Sequence, residues 1–129
     1  MIFCDPVGKR KLAGLMAATD VGLQLLANVP AFYFGTSPNK FFDYIAAERP
    51  VLVNYPGWIA NEVVDAQCGF AVPPENAEAF ADALEAAEGN RLELRNMGQR
   101  ALDLAKAKFD RNVLAEKFAA FLEQAATKT

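Results

Sequence analysis

The segment TSPNKFFDYIAAERPVLVNYPGW, Thr36 to Trp58, decides the fold. Ser37 is a good helix N-cap, and Pro38 suits the first helical position, where its missing N–H costs nothing. A helix is therefore expected from there to about Glu48, burying Phe41, Ile45 and Tyr44. Pro50 stops it. Val51-Leu52-Val53 follows at once and is apolar at every position, as central parallel strands are. Tyr55-Pro56-Gly57-Trp58 reads as a turn. A helix that runs straight into a fully apolar strand is one arm of a crossover unit.

The rest of the chain extends this pattern in both directions. Upstream, Ile2-Phe3-Cys4 reads as a brief strand ended by Asp5-Pro6. Lys9 to Thr19 is a helix with Leu12, Leu15 and Met16 on one face, and Val21 to Leu26 is a buried strand. Residues 28–36 form a loop carrying Phe32, Tyr33 and Phe34. Downstream, Ile59 to Gln67 is helical with Val63 toward the core, and Phe70-Ala71-Val72 is a third strand, stopped by Pro73-Pro74. Asn76 caps an alanine-rich helix reaching about Ala87. Gly89-Asn90 separates it from a longer helix, Arg91 to about Lys108, and Asp110 caps the last, which ends in a loose Thr127-Lys128-Thr129. The alternation predicts an α/β domain with a parallel sheet of three to four strands flanked by helices and right-handed crossovers. The helical tail from about residue 91 is expected to wrap the domain. With 129 residues and no internal repeat, the chain reads as one domain.

Composition narrows the function classes. Hydrophobic residues make up 53% and charged residues 22%, a globular balance. The net charge of -3 and a pI near 4.9 lack the basic footprint of a nucleic-acid binder. The Lys9-Arg10-Lys11 cluster reads as a solvated helix start. Cys4 and Cys68 both sit among apolar residues and are expected to be buried free thiols in a reducing compartment. No run is long enough to span a membrane and no signal peptide opens the chain, so the expected location is cytoplasmic. Histidine is absent, and Ser37 is the only serine. A Ser-His-Asp triad, a Cys-His pair and a His-containing metal site are thereby excluded within this chain. Neither a GxxxxGK[ST] loop nor a GxGxxG fingerprint occurs. No metal or cofactor is expected.

In open parallel sheets, ligands bind beyond the carboxyl ends of the strands, where the next helix begins. The start of the helix after Thr36 lies at such an end. Free N–H groups and the positive end of a helix dipole attract phosphate. Thr36, Ser37 and Asn39 offer amides, Lys40 adds a cation, and Asp43 stands about one turn further on, suited to accept hydrogen bonds from paired hydroxyls. Phosphate next to a diol suggests the ribose and diphosphate of a nucleotide. The plainer alternative is a capped helix whose Lys40 and Asp43 are only solvated.

The run SPNKFFDYIAAERPVLV resembles a segment of the GT-B-fold retaining glycosyltransferases of the bacterial group-1 type. Those proteins often read S-P-N-K, two apolar residues, an acid, Tyr, then an apolar-Ala-Ala-Gly run and Arg/Lys-Pro-Val. Phe3-Cys4-Asp5-Pro6-Val7, Ala18-Thr19-Asp20-Val21-Gly22-Leu23, Gly69 to Asn76 and Met97-Gly98 resemble further pieces of the same domain in the same order. The resemblance covers nearly the whole chain. It implies a Rossmann-like half of a GT-B donor domain that binds a nucleotide-sugar, UDP-linked, for transfer onto a lipid-linked or surface-polysaccharide precursor. It further implies amides of Thr36, Ser37 and Asn39 at the diphosphate with Lys40 neutralising it, Asp43 at the ribose hydroxyls, and Val7 and Trp58 at the base or cleft wall. Catalysis in that family rests mainly on electrostatic stabilisation of the leaving diphosphate. No catalytic residue is assigned, and the parent enzyme is expected to associate peripherally with membranes.

The sequence departs from the family at three points. Gly35 stands eight residues before Asp43, where the family commonly has a second acid. Glu48 stands where a helix-ending Gly is usual, and because a left-handed conformation would cost it about 1 kcal/mol, a local adjustment with little functional cost is expected. The acceptor domain and the first two strand–helix units of the donor domain have no counterpart. In the family's strand order, 3-2-1-4-5-6, Ile2–Cys4 corresponds to strand three and the later strands to four, five and six. The segment Val21–Leu26 is thus left as an open edge, to be met by Ile2–Cys4, by the missing N-terminal parts or by a second copy of the chain. On this reading the chain alone lacks the full active site. The alternative is a non-catalytic α/β module for interaction or dimerisation.

Overall fold

Three apolar runs pair into one parallel sheet in the computed structural model, which describes residues 2–127. Strands β1 (Gly22–Gln24), β2 (Val51–Val53) and β3 (Gly69–Ala71) lie in that order, with Gly22 opposite Val51 and Val51 opposite Gly69. Parallel neighbours need long crossovers. Helix α2 (Asn39–Ala46) links β1 to β2, and α3 (Trp58–Asp65) links β2 to β3. Helix α1 (Lys9–Ala18) precedes the sheet, and α4 (Ala77–Gly89), α5 (Arg91–Lys108) and α6 (Arg111–Thr127) follow it.

Alternation along β2 sends Val51 and Val53 to one face and Leu52 to the other. The first face carries the core: Phe41 and Ile45 of α2, Ile59 and Val63 of α3, and Ala101 and Leu104 of α5 pack with both valines. Burial of each large side chain contributes about 1.5–3 kcal/mol. Leu52 is equally buried but stands outside this cluster. The opposite face is where α4 starts, since Ala77 and Phe80 share a cleft with Leu25, Asn54 and Val72.

The two crossover helices end alike. After α2, Glu48 adopts φ 61°, its N–H bonds to Ile45 O at 3.2 Å, and Arg49 N–H bonds to Tyr44 O at 2.9 Å. After α3, Gln67 adopts φ 51°, bonding to Val64 O at 3.0 Å while Cys68 N–H bonds to Val63 O at 3.0 Å. Both are Schellman closures with a residue other than glycine at the left-handed position. The local adjustment expected at Glu48 does not occur: Glu48 itself takes the left-handed conformation that the helix-closing hydrogen bonds require.

Among the described residues β1 pairs on one side only. Its Gly22 N–H points to Pro50 O at 2.8 Å, so the next N–H, of Leu23, faces the free edge. The Tyr44 ring lies where a β-carbon on Gly22 would come within 2.3 Å of it. Burial raises the Tyr44 pKa, and the nearby Leu23 backbone opposes the shift. Tyr44 thus packs on the face of β1 at Gly22.

Four further expectations are corrected. Ile2-Phe3-Cys4 forms no strand: Ile2 and Phe3 are 91% and 88% exposed, because no neighbouring strand is there to pair with them. Cys4 is accordingly exposed, while Cys68 is buried as expected. Ser37 does not cap α2: the N-cap is Pro38, the helix begins at Asn39, and no side chain caps it. From the position before the N-cap, the Ser37 hydroxyl is one residue too far back for the usual capping bond. The helical tail wraps the domain only through α5, since α6 buries none of its residues. The expected loose end at Lys128-Thr129 lies outside the described residues. Among the described residues no helix is long and apolar enough to cross a membrane.

Candidate functional site

The loop after β1 is tied down from several sides. Asn54 accepts from Leu26 N–H at 2.8 Å and donates to Leu26 O at 3.0 Å. Tyr33 stacks on Tyr55 with ring centroids 6.1 Å apart and donates its hydroxyl to Asn28, which donates to Glu75 at 2.9 Å. The Thr36 hydroxyl donates to Phe32 O, and Trp58 Nε1 donates to Thr36 O at 2.9 Å. Gly57 makes this closure possible: its φ is 132°, and a β-carbon there would lie 2.3 Å from Tyr33 O. The residues leading into α2 are therefore fixed relative to α3.

The start of α2 is open. Phe41 N–H bonds to Pro38 O at 3.1 Å, while the N–H groups of Asn39 and Lys40 have no backbone partner among the described residues. Pro38 has no N–H to offer. Two helix donors thus face outward at the end of the dipole that favours anions.

A cleft of about 870 Å³ runs along α2, with α1 as its opposite wall. Asn39, Phe42, Asp43, Ala46 and Ala47 line it from α2, Lys9, Leu12, Ala13, Met16 and Ala17 from α1, and Arg111 from the start of α6. Of the residues assigned from sequence, it brings together Asn39 and Asp43. Thr36, Ser37, Lys40, Val7 and Trp58 do not line it. Lys40 and Ser37 are exposed just before it, and Val7 is half-buried ahead of α1. Trp58 packs into an aromatic group, 6.0 Å from Phe41, 6.2 Å from Phe42 and 6.3 Å from Phe109 between centroids. Lys9 and Arg111 are the additions. Lys9 had the look of a solvated basic cluster, and Arg111 follows a capping Asp; only tertiary structure joins them to Asp43.

A second charged cleft, of about 340 Å³, lies among Asp20, Glu48, Arg49, Arg91 and Arg95. Two of its cations are already engaged: Arg91 pairs with Asp20 at 3.2 Å, and Arg49 donates to Ala47 O and Thr19 O. Burial pushes the Cys68 thiol up to about 11, so it stays protonated near neutrality and is no nucleophile. Among the described residues no group of three or more acidic or cysteine side chains is placed to hold a metal.

No protein-family model matches the chain, and no curated protein matches it. Among solved structures, sucrose-phosphate synthase from Thermosynechococcus elongatus is similar, with a TM-score of 0.83 at 21% identity. The match covers 99% of this chain and 31% of that one. At that identity the likeness establishes the fold: a Rossmann-like half of the GT-B type, with a three-stranded parallel sheet and a helical C-terminal tail. The chain spans about a third of the length of the protein it matches.

Proposed function

We propose that this chain is the donor-binding part of a glycosyltransferase. It would act in the cytoplasm on a nucleotide-sugar, UDP-linked, and serve transfer to a lipid-linked or surface-polysaccharide precursor. The observation that carries the reading is the position of Asp43. The carboxylate to which the sequence resemblance gives the ribose hydroxyls lies on the 870 Å³ cleft, with no hydrogen-bond or ion-pair partner among the described residues. The uncapped start of α2 supports it, because the outward N–H groups of Asn39 and Lys40 suit a diphosphate. In this reading Thr36, Ser37 and Asn39 present amides, Lys40 a cation, and Val7 and Trp58 flank the base side. The coverage of 31% of the matched chain fits a part that works with an N-terminal domain and is inactive alone.

Titration with UDP, followed by amide NMR, tests this. Shifts concentrated at residues 36–43 are expected, and Asp43→Ala should weaken binding about tenfold, the size of one lost charge-assisted hydrogen bond. Absence of shifts at millimolar UDP would defeat the reading. The alternative, an interaction or dimerisation module, is favoured by α6, where Phe118 and Phe121 are 63% and 64% exposed. Such a module leaves UDP unbound in the same titration.

A further inference from the structure

Lys9 and Arg111 are the first residues of two helices far apart in sequence, yet both line the cleft that holds Asp43. Neither is in an ion pair: those among the described residues join Arg91 to Asp20, Arg100 to Glu93 and Lys108 to Glu62. The cleft therefore carries two free cations and one free carboxylate beside an apolar wall of Leu12, Ala13, Met16 and Phe42. In the second charged cleft, by contrast, Arg91 and Arg49 already have partners.

The place of Arg111 is set by packing. Asp110 caps α6, accepting from Asn112 N–H at 2.9 Å and Val113 N–H at 3.1 Å. Phe109, one residue earlier, packs edge-on against Phe42 at 5.2 Å and Phe41 at 6.2 Å. These rings belong to α2, the helix that carries Asp43. The joint between α5 and α6 is thus anchored to the wall of the cleft. A guanidinium presents paired donors that match phosphate oxygens bidentately, and an ammonium adds a point charge.

We propose that Lys9 and Arg111 form a two-sided clamp for the diphosphate of the donor, a role nothing in the sequence resemblance gives them. The proposal rests on the donor-binding reading for the identity of the nucleotide, but not for the anion chemistry. The pair selects a diphosphate over an uncharged nucleoside, with Asp43 left for hydroxyls. Of the start of α2, Asn39 lines the same cleft and offers its N–H to the same anion.

The test is a set of NMR titrations of the full 129-residue chain with UDP, uridine and inorganic pyrophosphate. Arg111→Ala should weaken UDP and pyrophosphate about tenfold, as loss of a charged hydrogen-bonding pair does, and leave uridine unchanged. Lys9→Ala should act in the same direction with a smaller factor, and Arg111→Lys should restore part of the loss. Lys117→Ala, on the same helix but away from the cleft, should change nothing. If UDP binds and neither Arg111→Ala nor Lys9→Ala weakens it, the clamp is overturned and the donor site stands. If pyrophosphate binds in an Arg111-dependent way but UDP binds no more tightly, the clamp stands and the nucleotide reading falls. If the wild-type chain binds neither, both are overturned.

Discussion

The helices of this chain begin in two ways. α4, α5 and α6 start with a side chain that satisfies an orphan N–H: Asn76 accepts from Ala79, Asn90 from Glu93, and Asp110 from Asn112 and Val113. α1, α2 and α3 start at Gly8, Pro38 and Gly57 with no side-chain cap. The uncapped set includes both crossover helices of the sheet, whose starts lie at the carboxyl ends of strands, where ligands of open α/β sheets bind. The capped set follows the sheet and closes the domain. Capping residues stand where a helix start satisfies its own N–H groups locally. Where the backbone must reach a neighbouring loop or leave its N–H groups outward, the cap is missing.

The start of α3 gives the largest test of that contrast. Gly57 stands at a capping position but serves loop closure, with φ 132° and Tyr33 O where a β-carbon would be. Gly57→Ala should destabilise by about 3 kcal/mol, combining left-handed strain with a steric clash that moves the Tyr33 loop. Chemical denaturation measures it. A loss below about 1 kcal/mol, the ordinary effect of a point substitution, would mean that the loop yields freely and that the missing cap has another cause.

A smaller effect separates the two sets directly. Asn90→Ala and Asp110→Ala should each cost about 1 kcal/mol, as removal of a side-chain cap does. Ser37→Ala should cost almost nothing, because the hydroxyl caps no helix. Equal losses at Ser37 and Asn90 would erase the distinction and restore the ordinary capped helix that the S-P-N-K run suggests.

That run also marks where sequence reasoning stopped short. The three paired strands, the crossover helices and the buried set Phe41, Ile45 and Val63 were legible, because apolar runs and 3.6-residue periodicity are local signals. Asn76 and Asp110 were legible as caps for the same reason. Ser37 was misjudged because Ser-Pro fits a cap at either of two adjacent positions, and only the backbone at Pro38, with ψ 130°, chooses between them. Ile2–Cys4 has strand-like composition but no neighbour to bond, a fact of topology that composition does not contain. The site divided in the same way: Asn39 and Asp43 share a helix and were found together. Lys9 and Arg111 reach the cleft only through the packing of α1 on α2 and of Phe109 on Phe42.

The helix ends sharpen the contrast from the other side, with the smallest effect. α2 and α3 are uncapped at the start, yet both close with a full Schellman pair of hydrogen bonds. Each does so with a side chain in the left-handed region, Glu48 at φ 61° and Gln67 at φ 51°. Glycine there removes steric strain but adds freedom to the unfolded chain, and the two terms oppose each other. The strain term is the larger for a residue without local side-chain bonding, so Glu48→Gly and Gln67→Gly should each stabilise by about 0.5–1 kcal/mol in equilibrium denaturation. The two should also add, since the sites close separate helices. Glu48 lines the cleft with Arg49, Arg91 and Arg95, so its removal also takes a carboxylate from a cleft lined by three arginines. A gain at Gln67 with a loss at Glu48 would show that the acid is kept for those arginines. Gains at both would leave Glu48 a tolerated strain, and the geometry of the α2 end would follow from the backbone closure alone.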